Sequence, residues 1–172
     1  MLIRPVRPEE CEELGHLTVR AYRRLAGDLP LGDYELVLAD VRARLSDCDI
    51  LVAVNDDDVL MGGVTYVPGP HTSMSEFDDE GAAGVRHLAV DPDQQGFGAG
   101  RALIDEVIKH ARRQRRPRLR LHSTQPMVVA RAMYERLGFV RAEQYDLFFA
   151  GAPYSEDEPL HLISYVLDLE AP

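Results

Sequence analysis

The chain is short of cysteine and has no long apolar run. Only Cys11 and Cys48 occur among 172 residues, at a spacing that fits neither a disulfide framework nor a C-x-x-C metal motif. The six histidines are scattered and not set at ligand spacing, so no metal site is expected. No stretch approaches the ~20 apolar residues of a membrane helix, and the start, MLIRPVRPEECEEL, lacks the apolar core of a secretory signal. A reducing cytoplasm is the expected setting. Positive charge is also in deficit: 19 Lys and Arg face 29 Asp and Glu, for a formal net charge of −10. That balance argues against sequence-independent nucleic-acid binding and against an anionic membrane surface. The expected partner is instead a cation.

What is present is enough apolar material, 45% of residues, to enclose a core in one domain spanning residues 1–172. No repeat or low-complexity linker divides it. Leu2 to Val6 reads as a first strand, and Pro8 opens a helix carrying Leu14, Leu17, Val19, Ala21 and Leu25, stopped by Gly27 and Pro30. A second amphipathic helix with Leu36, Val37, Val41 and Leu45 leads to the strand Ile50–Val54. The polar turn Asn55–Asp58 and the strand Val59–Val67 complete a hairpin. A polar loop from Pro68 to Ala83 precedes the strand Val85–Val90, which Asp91-Pro92 closes.

Gly96 to Gly100 then turns into a helix with Leu103, Ile104, Val107, Ile108 and Ala111 on one face. Pro117 ends it, and the run Arg112, Arg113, Arg115, Arg116, Arg118, Arg120 reads as cations complementing that helix's C-terminus or, alternatively, as contacts to a phosphorylated ligand. The strand Leu119–Ser123 follows, then a helix Met127–Leu137 with Ala130, Met133, Tyr134 and Leu137 on one stripe and Gly138 as its cap. Strands Phe139–Phe149 and Leu160–Leu169 finish the chain around a loop, Ala150–Pro159. The alternation implies an α/β (α+β) fold, a mixed sheet with helices on both faces.

The segment richest in chemistry is Gln95-Gly96-Phe97-Gly98-Ala99-Gly100-Arg101. Glycines let a backbone approach a phosphate closely, and the first free amides of the next helix point at it. The same residues also make an ordinary glycine-rich strand-to-helix turn. No Lys-Ser/Thr pair completes a nucleotide P-loop, and no early βαβ unit with a ribose-binding acid fits a dinucleotide fold. Downstream, Tyr134 stands on a buried stripe just before a glycine cap, where alone it reads as a core aromatic.

Together, Leu88-Ala89-Val90-Asp91-Pro92, the Gln-x-x-Gly-x-Gly spacing of Gln95 to Gly100, and the helix end Tyr134-Glu135-x-Leu137-Gly138-Phe139 resemble the GNAT superfamily of acyl-CoA-dependent N-acyltransferases. The resemblance runs in element order along nearly the whole chain. It implies a mostly antiparallel sheet that splays at the strand before the loop. It also implies acetyl-CoA as co-substrate, transfer of an acetyl or short acyl group to a primary amine in a ternary complex, and a homodimer as one possible assembly. Leu88 and Val90, flanking Ala89, would pair with the pantetheine arm, and the amides of Gly96 to Arg101, after Gln95, would bind the pyrophosphate.

The resemblance also assigns Tyr134 as general acid, its phenol protonating the departing thiolate. From pKa ~10 to ~8.5 that transfer is uphill by ~2 kcal/mol, which a preorganised site offsets. The amide of Val90 or a neighbour is the candidate for polarising the thioester carbonyl. Some members carry a glutamate base where this chain has Ala83 and Gly84; others carry one twelve residues before the tyrosine, which here is His122, a residue type suited to a base at neutral pH and one that equally reads as a satisfied structural histidine on a strand. Met127 stands where many members have a coenzyme-holding asparagine. The acceptor is left open. Glu76, Asp78, Asp79 and Glu80, with Glu156, Asp157 and Glu158, would attract a polyamine, an aminoglycoside or a basic peptide, or are solvated surface charge. The competing readings are a non-catalytic acyl-CoA-binding regulatory module and a nucleotide-dependent enzyme.

Overall fold

In the computed structural model, which describes residues 1–26, 30–150, 154 and 157–169, one sheet organises the chain. β1 (Leu2–Pro5) pairs with β2 (Asp49–Val54), β2 with β3 (Leu60–Val67) and β3 with β4 (Ala82–Val90), all antiparallel. The β2–β3 turn holds because the Asn55 side chain accepts from the amides of Asp57 and Val59 at 3.0 and 2.9 Å, an Asx turn that substitutes for backbone pairing. α4 (Ala99–Arg113) carries the chain over to β5 (Arg118–Ser123), which lies parallel to β4, as a crossover helix allows. β8 (Leu160–Asp168) pairs antiparallel with β5 and also takes β6 (Val140–Arg141) and β7 (Leu147–Phe149). The sheet has eight strands, in the order β1-β2-β3-β4-β5-β8-β6, with β7 on β8. A mixed, mostly antiparallel sheet was expected, and it is what forms.

Helices cover both faces, and the period-two alternation of β2 shows why. Leu51 and Ala53 join Leu103, Ile104 and Val107 of α4 in one buried cluster. Ile50, Val52 and Val54 point the other way, to Leu14, Leu17 and Ala21 of α1 (Cys11–Ala26). A strand covered on both sides must be apolar throughout, as β2 is from Ile50 onward. α1 is held against α2 (Tyr34–Ala39) by a close approach at Gly15, where a Cβ would lie 2.2 Å from the Ala39 carbonyl oxygen.

Two expected elements are divided. The helix expected through Leu36 and Leu45 breaks at Asp40 into α2 and α3 (Val41–Arg44), because the Asp40 carboxylate caps the Ala43 amide at 3.0 Å. The buried Arg44 guanidinium accompanies this by donating to the Val37 and Leu38 carbonyls at the end of α2. Leu36 is consequently 70% exposed, and Leu38 with Val41 fill the core instead. The strand expected from Phe139 to Phe149 is two short strands around a 3-10 turn, Glu143–Tyr145. Asp146 pins that turn by accepting from Arg141, His161 and the Ser164 amide. The arginine run is divided too: Arg112 and Arg113 end α4, whereas Arg118 and Arg120 belong to β5. Gly27 as a helix stop and Glu156 lie outside the described residues. Among the described residues no helix is long and apolar enough to cross a membrane.

Candidate active site

β4 and β5 are in register only from Ala82–Arg118 to Val85–Leu121. Beyond Val85, β4 stays with β3 as far as Val90, while β5 follows β8 to Ser123. The two parallel strands therefore splay. On β4 an extra residue interrupts the ladder between Ala89 and Arg86, opposite Gly63 and Thr65, and His87 takes φ +51, the geometry of a bulge. The Asp91 amide donates to the Met61 carbonyl on the β3 side. By strand alternation, the peptide groups of Leu88 and Val90 face the gap left by β5, and those of Ala89 face β3.

The glycine loop closes the far end of this gap. Gly96 and Gly98 have φ +88 and +82, and a Cβ on either would meet nothing within 4 Å; Gly98 is the N-terminal cap of α4. Ala102 is the first helical residue whose amide finds a carbonyl, that of Gly98 at 3.0 Å. The amides of Gly96, Phe97, Gly98, Ala99, Gly100 and Arg101 have no partner among the described residues, as helix N-termini leave them. Gln95, Phe97 and Arg101 hold their side chains outward, Phe97 at 69% exposure. The loop thus presents backbone donors, a fixed partial positive charge and open space, which fits a pyrophosphate.

α5 (Val128–Arg136) follows β5, and Gly138, at φ +92, caps it as expected. Tyr134 is its one fully buried residue, 6% exposed, against Phe139 and Tyr165 at ring-centroid distances of 5.8 and 6.4 Å. Burial pushes its phenol well above 10, so it stays protonated at neutral pH. Its hydroxyl has no hydrogen-bond partner among the described residues. Gly100 brings the two halves together: a Cβ there would lie 3.4 Å from Val90 and 3.9 Å from the Met133 sulfur.

His122, the residue at the base position, lines the cavity of this site and is engaged at both ring nitrogens. Its Nδ1 is 2.8 Å from the Glu76 carboxylate and its Nε2 3.1 Å from the Tyr145 carbonyl. Both ring nitrogens thus lie within hydrogen-bond distance of an acceptor. Glu76 is also 2.9 Å from Arg86, which in turn donates to the Met74 carbonyl at 3.1 Å. Burial opposes ionisation of Glu76, but the His122 hydrogen bond and the Arg86 and His122 charges outweigh it and hold the carboxyl below its ordinary range. Of the acidic residues expected to attract a cation, Glu76 is thus engaged internally, Asp79 with Arg118 at 3.1 Å and Glu80 with His71 at 2.7 Å.

A cavity of about 370 Å³ opens between the splayed strands and the first two helices. Tyr22, Leu31, Tyr34, Phe149, Leu160 and Leu162 supply much of its wall, and Glu76, Arg86, His87, His122, Ser123 and Thr124 its polar end. Burial, with the charges of Arg86 and Arg44 behind it, keeps the His87 imidazole well below 6.5 and hence neutral. Sequence reasoning passed over His87, Arg86 and Tyr34, and did not see that Glu76 enters the site. His87 adjoins Leu88 in the recognised motif, but its bulge depends on β3.

Comparison with known proteins agrees with this geometry. The family model described as Acetyltransferase (GNAT) family matches residues 11–139. The peptidyl-lysine N-acetyltransferase YjaB of Escherichia coli K12 is 28% identical over 165 residues, 95% of this chain and 96% of that protein. The mycothiol acetyltransferase of Geodermatophilus obscurus is 41% identical over 77 residues, 42% of this chain but only 25% of that longer protein. Among solved structures, yncA of Salmonella typhimurium, determined with its cofactor acetyl-CoA, superposes with a TM-score of 0.71 at 21% identity, covering 100% of this chain and 95% of that one. At that identity the likeness is one of fold.

Proposed function

The chain belongs to the acetyltransferase (GNAT) family, and from that premise we propose that it transfers an acetyl or other short acyl group from coenzyme A to a primary amine, by direct attack in a ternary complex. The observation that carries this reading is the splay beyond Val85, with unpartnered loop amides at one end and a lined cavity at the other. The thioester supplies an activated acyl carbon. In the reaction the C–N bond forms, the C–S bond breaks, and one proton passes overall from nitrogen to sulfur.

Each group of residues has a task in that scheme. The amides of Gly96 to Arg101 hold the pyrophosphate, and the gap-facing peptide groups of Leu88 and Val90 pair with the pantetheine arm as an added strand would. The Val90 amide polarises the thioester carbonyl and stabilises the oxyanion. Tyr134 donates the proton to sulfur. Burial raises its pKa, but it desolvates a thiolate in the same place, so the difference between donor and acceptor changes less than either value. The Glu76 carboxylate, held by His122 and Arg86, fixes the polar end of the cavity.

The test is release of free thiol from acetyl-CoA with a mixed panel of primary amines, beside thermal shifts with acetyl-CoA, ATP and NAD. Stabilisation by acetyl-CoA alone and amine-dependent thiol release are expected. Binding of acetyl-CoA with no acceleration by any amine would overturn transferase activity.

A further inference from the structure

The cavity's chemistry narrows the acceptor. Its walls are aromatic and aliphatic over most of their area. The one carboxylate among its described lining residues, Glu76, pairs with the Arg86 guanidinium at 2.9 Å and lies 2.8 Å from the His122 ring. Among the described lining residues Arg86 already balances that carboxylate, and a second cation buried beside Arg86 would be uncompensated there. Three further lining residues carry buried polar atoms without hydrogen-bond partners among the described residues: His87 Nε2, Ser123 Oγ and Thr124 Oγ1. His87 is 4% exposed and Ser123 3%. Native proteins leave few such atoms, and these three belong to residues that line the cavity, within reach of a bound ligand once their side chains turn toward it.

We propose that the acceptor is a small primary amine on an aromatic or branched aliphatic body, carrying no second cation, and that its nitrogen is received by His87 with Ser123 and Thr124. The assignment rests on the transferase reading. An amine nitrogen offers N–H donors and a lone pair, matching an imidazole nitrogen and two hydroxyls. The Nδ1 of His87 is 3.4 Å from the Thr65 hydroxyl, and Nε2 has no partner among the described residues. A neutral ring does not repel the amine. His87 also sits on the bulge immediately before Leu88, so a nitrogen held there lies beside the strand edge assigned to the coenzyme arm. The Tyr154 hydroxyl donates to the Pro30 carbonyl at 2.8 Å. That bond joins Tyr154 to Pro30, the neighbour of Leu31, and Tyr154 and Leu31 both line the cavity, which favours a free small molecule over a side chain presented on a peptide.

The experiment is steady-state kinetics of the full chain at saturating acetyl-CoA, with 2-phenylethylamine and isopentylamine against spermidine, kanamycin and a lysine peptide. The apolar amines are expected to exceed each of the others in kcat/KM by at least about tenfold. His87→Phe and, separately, Ser123→Ala are expected to raise the KM for 2-phenylethylamine about tenfold or more, with the Kd for coenzyme A unchanged. Ser123→Ala carries this readout if His87→Phe does not fold. Faster turnover of spermidine, kanamycin or the peptide overturns the acceptor class. An unchanged amine KM in the folded variants overturns the placing of the nitrogen. If acetyl-CoA binds and no amine is acetylated, the transferase reading itself falls, and the acceptor assignment with it.

Discussion

Gly98→Ala adds one methyl group at φ +82, in a place where it meets nothing within 4 Å. With no clash to relieve, its cost is that of the left-handed backbone for a residue with a Cβ, about 1–2 kcal/mol. For a chain of 172 residues that corresponds to a fall in Tm of about 2–8 °C, read by thermal unfolding without ligand. The same methyl projects over amides that have no protein partner. If those amides hold the pyrophosphate, losing one charge-assisted hydrogen bond, about 1.5–3 kcal/mol, weakens coenzyme A about 10- to 100-fold by calorimetry. Gly100→Ala separates the two effects. Gly100 is helical, and its Cβ would make contacts of 3.4 Å with Val90 and 3.9 Å with Met133, so left-handed strain applies to Gly98 and not to Gly100. Its Tm should hold or rise, since alanine suits a helix better by about 0.5–1 kcal/mol, while coenzyme affinity falls because the methyl narrows the approach between α4 and β4. A Gly98→Ala protein that melts with the wild type refutes the backbone argument. One that binds coenzyme A with the wild-type Kd refutes the loop as the pyrophosphate site.

Removing the phenol in Tyr134→Phe should lower kcat by about 10²-fold with the coenzyme Kd unchanged, because proton donation acts only in the transition state; wild-type turnover would end the assignment. Glu76 has a depressed carboxyl, so it contributes stability above its ordinary value of 4.5 that is lost as pH falls below it, through the lower folded value. Urea unfolding should therefore show stability declining below about pH 4.5, and Glu76→Gln should flatten that decline while costing about 2–3 kcal/mol at neutral pH, because Arg86 and His122 lose a shared partner. An undiminished acid slope in the variant would assign it to other carboxylates.

Some of the site could be read from residues in a row. The loop Gln95 to Arg101 needs only local backbone freedom and a helix start, and Gly96 and Gly98 take the positive φ that glycine permits. Gly138 capping α5 is local in the same way. The boundary misses also have local causes that composition hides: Asp40 reads as a helical surface residue until its carboxylate turns back on Ala43. Asp146 looks like one more strand residue until Arg141 and His161 meet it across β8.

What the sequence determined by itself was the periodicity of each element, the glycine loop and the alternation of β2. These follow from interactions within a few residues and from how much apolar surface each face must hide. Only the tertiary structure decided where β4 and β5 part, because register depends on strands more than thirty positions away. For the same reason it alone decided that His122 faces Glu76 across 46 positions of chain, that Glu76 pairs with Arg86, and that His87 lines a largely apolar cavity with an Nε2 that has no partner among the described residues. Partners that distant carry no spacing signal, and a side chain's protonation and purpose are set by whichever acceptors and charges the fold brings to it.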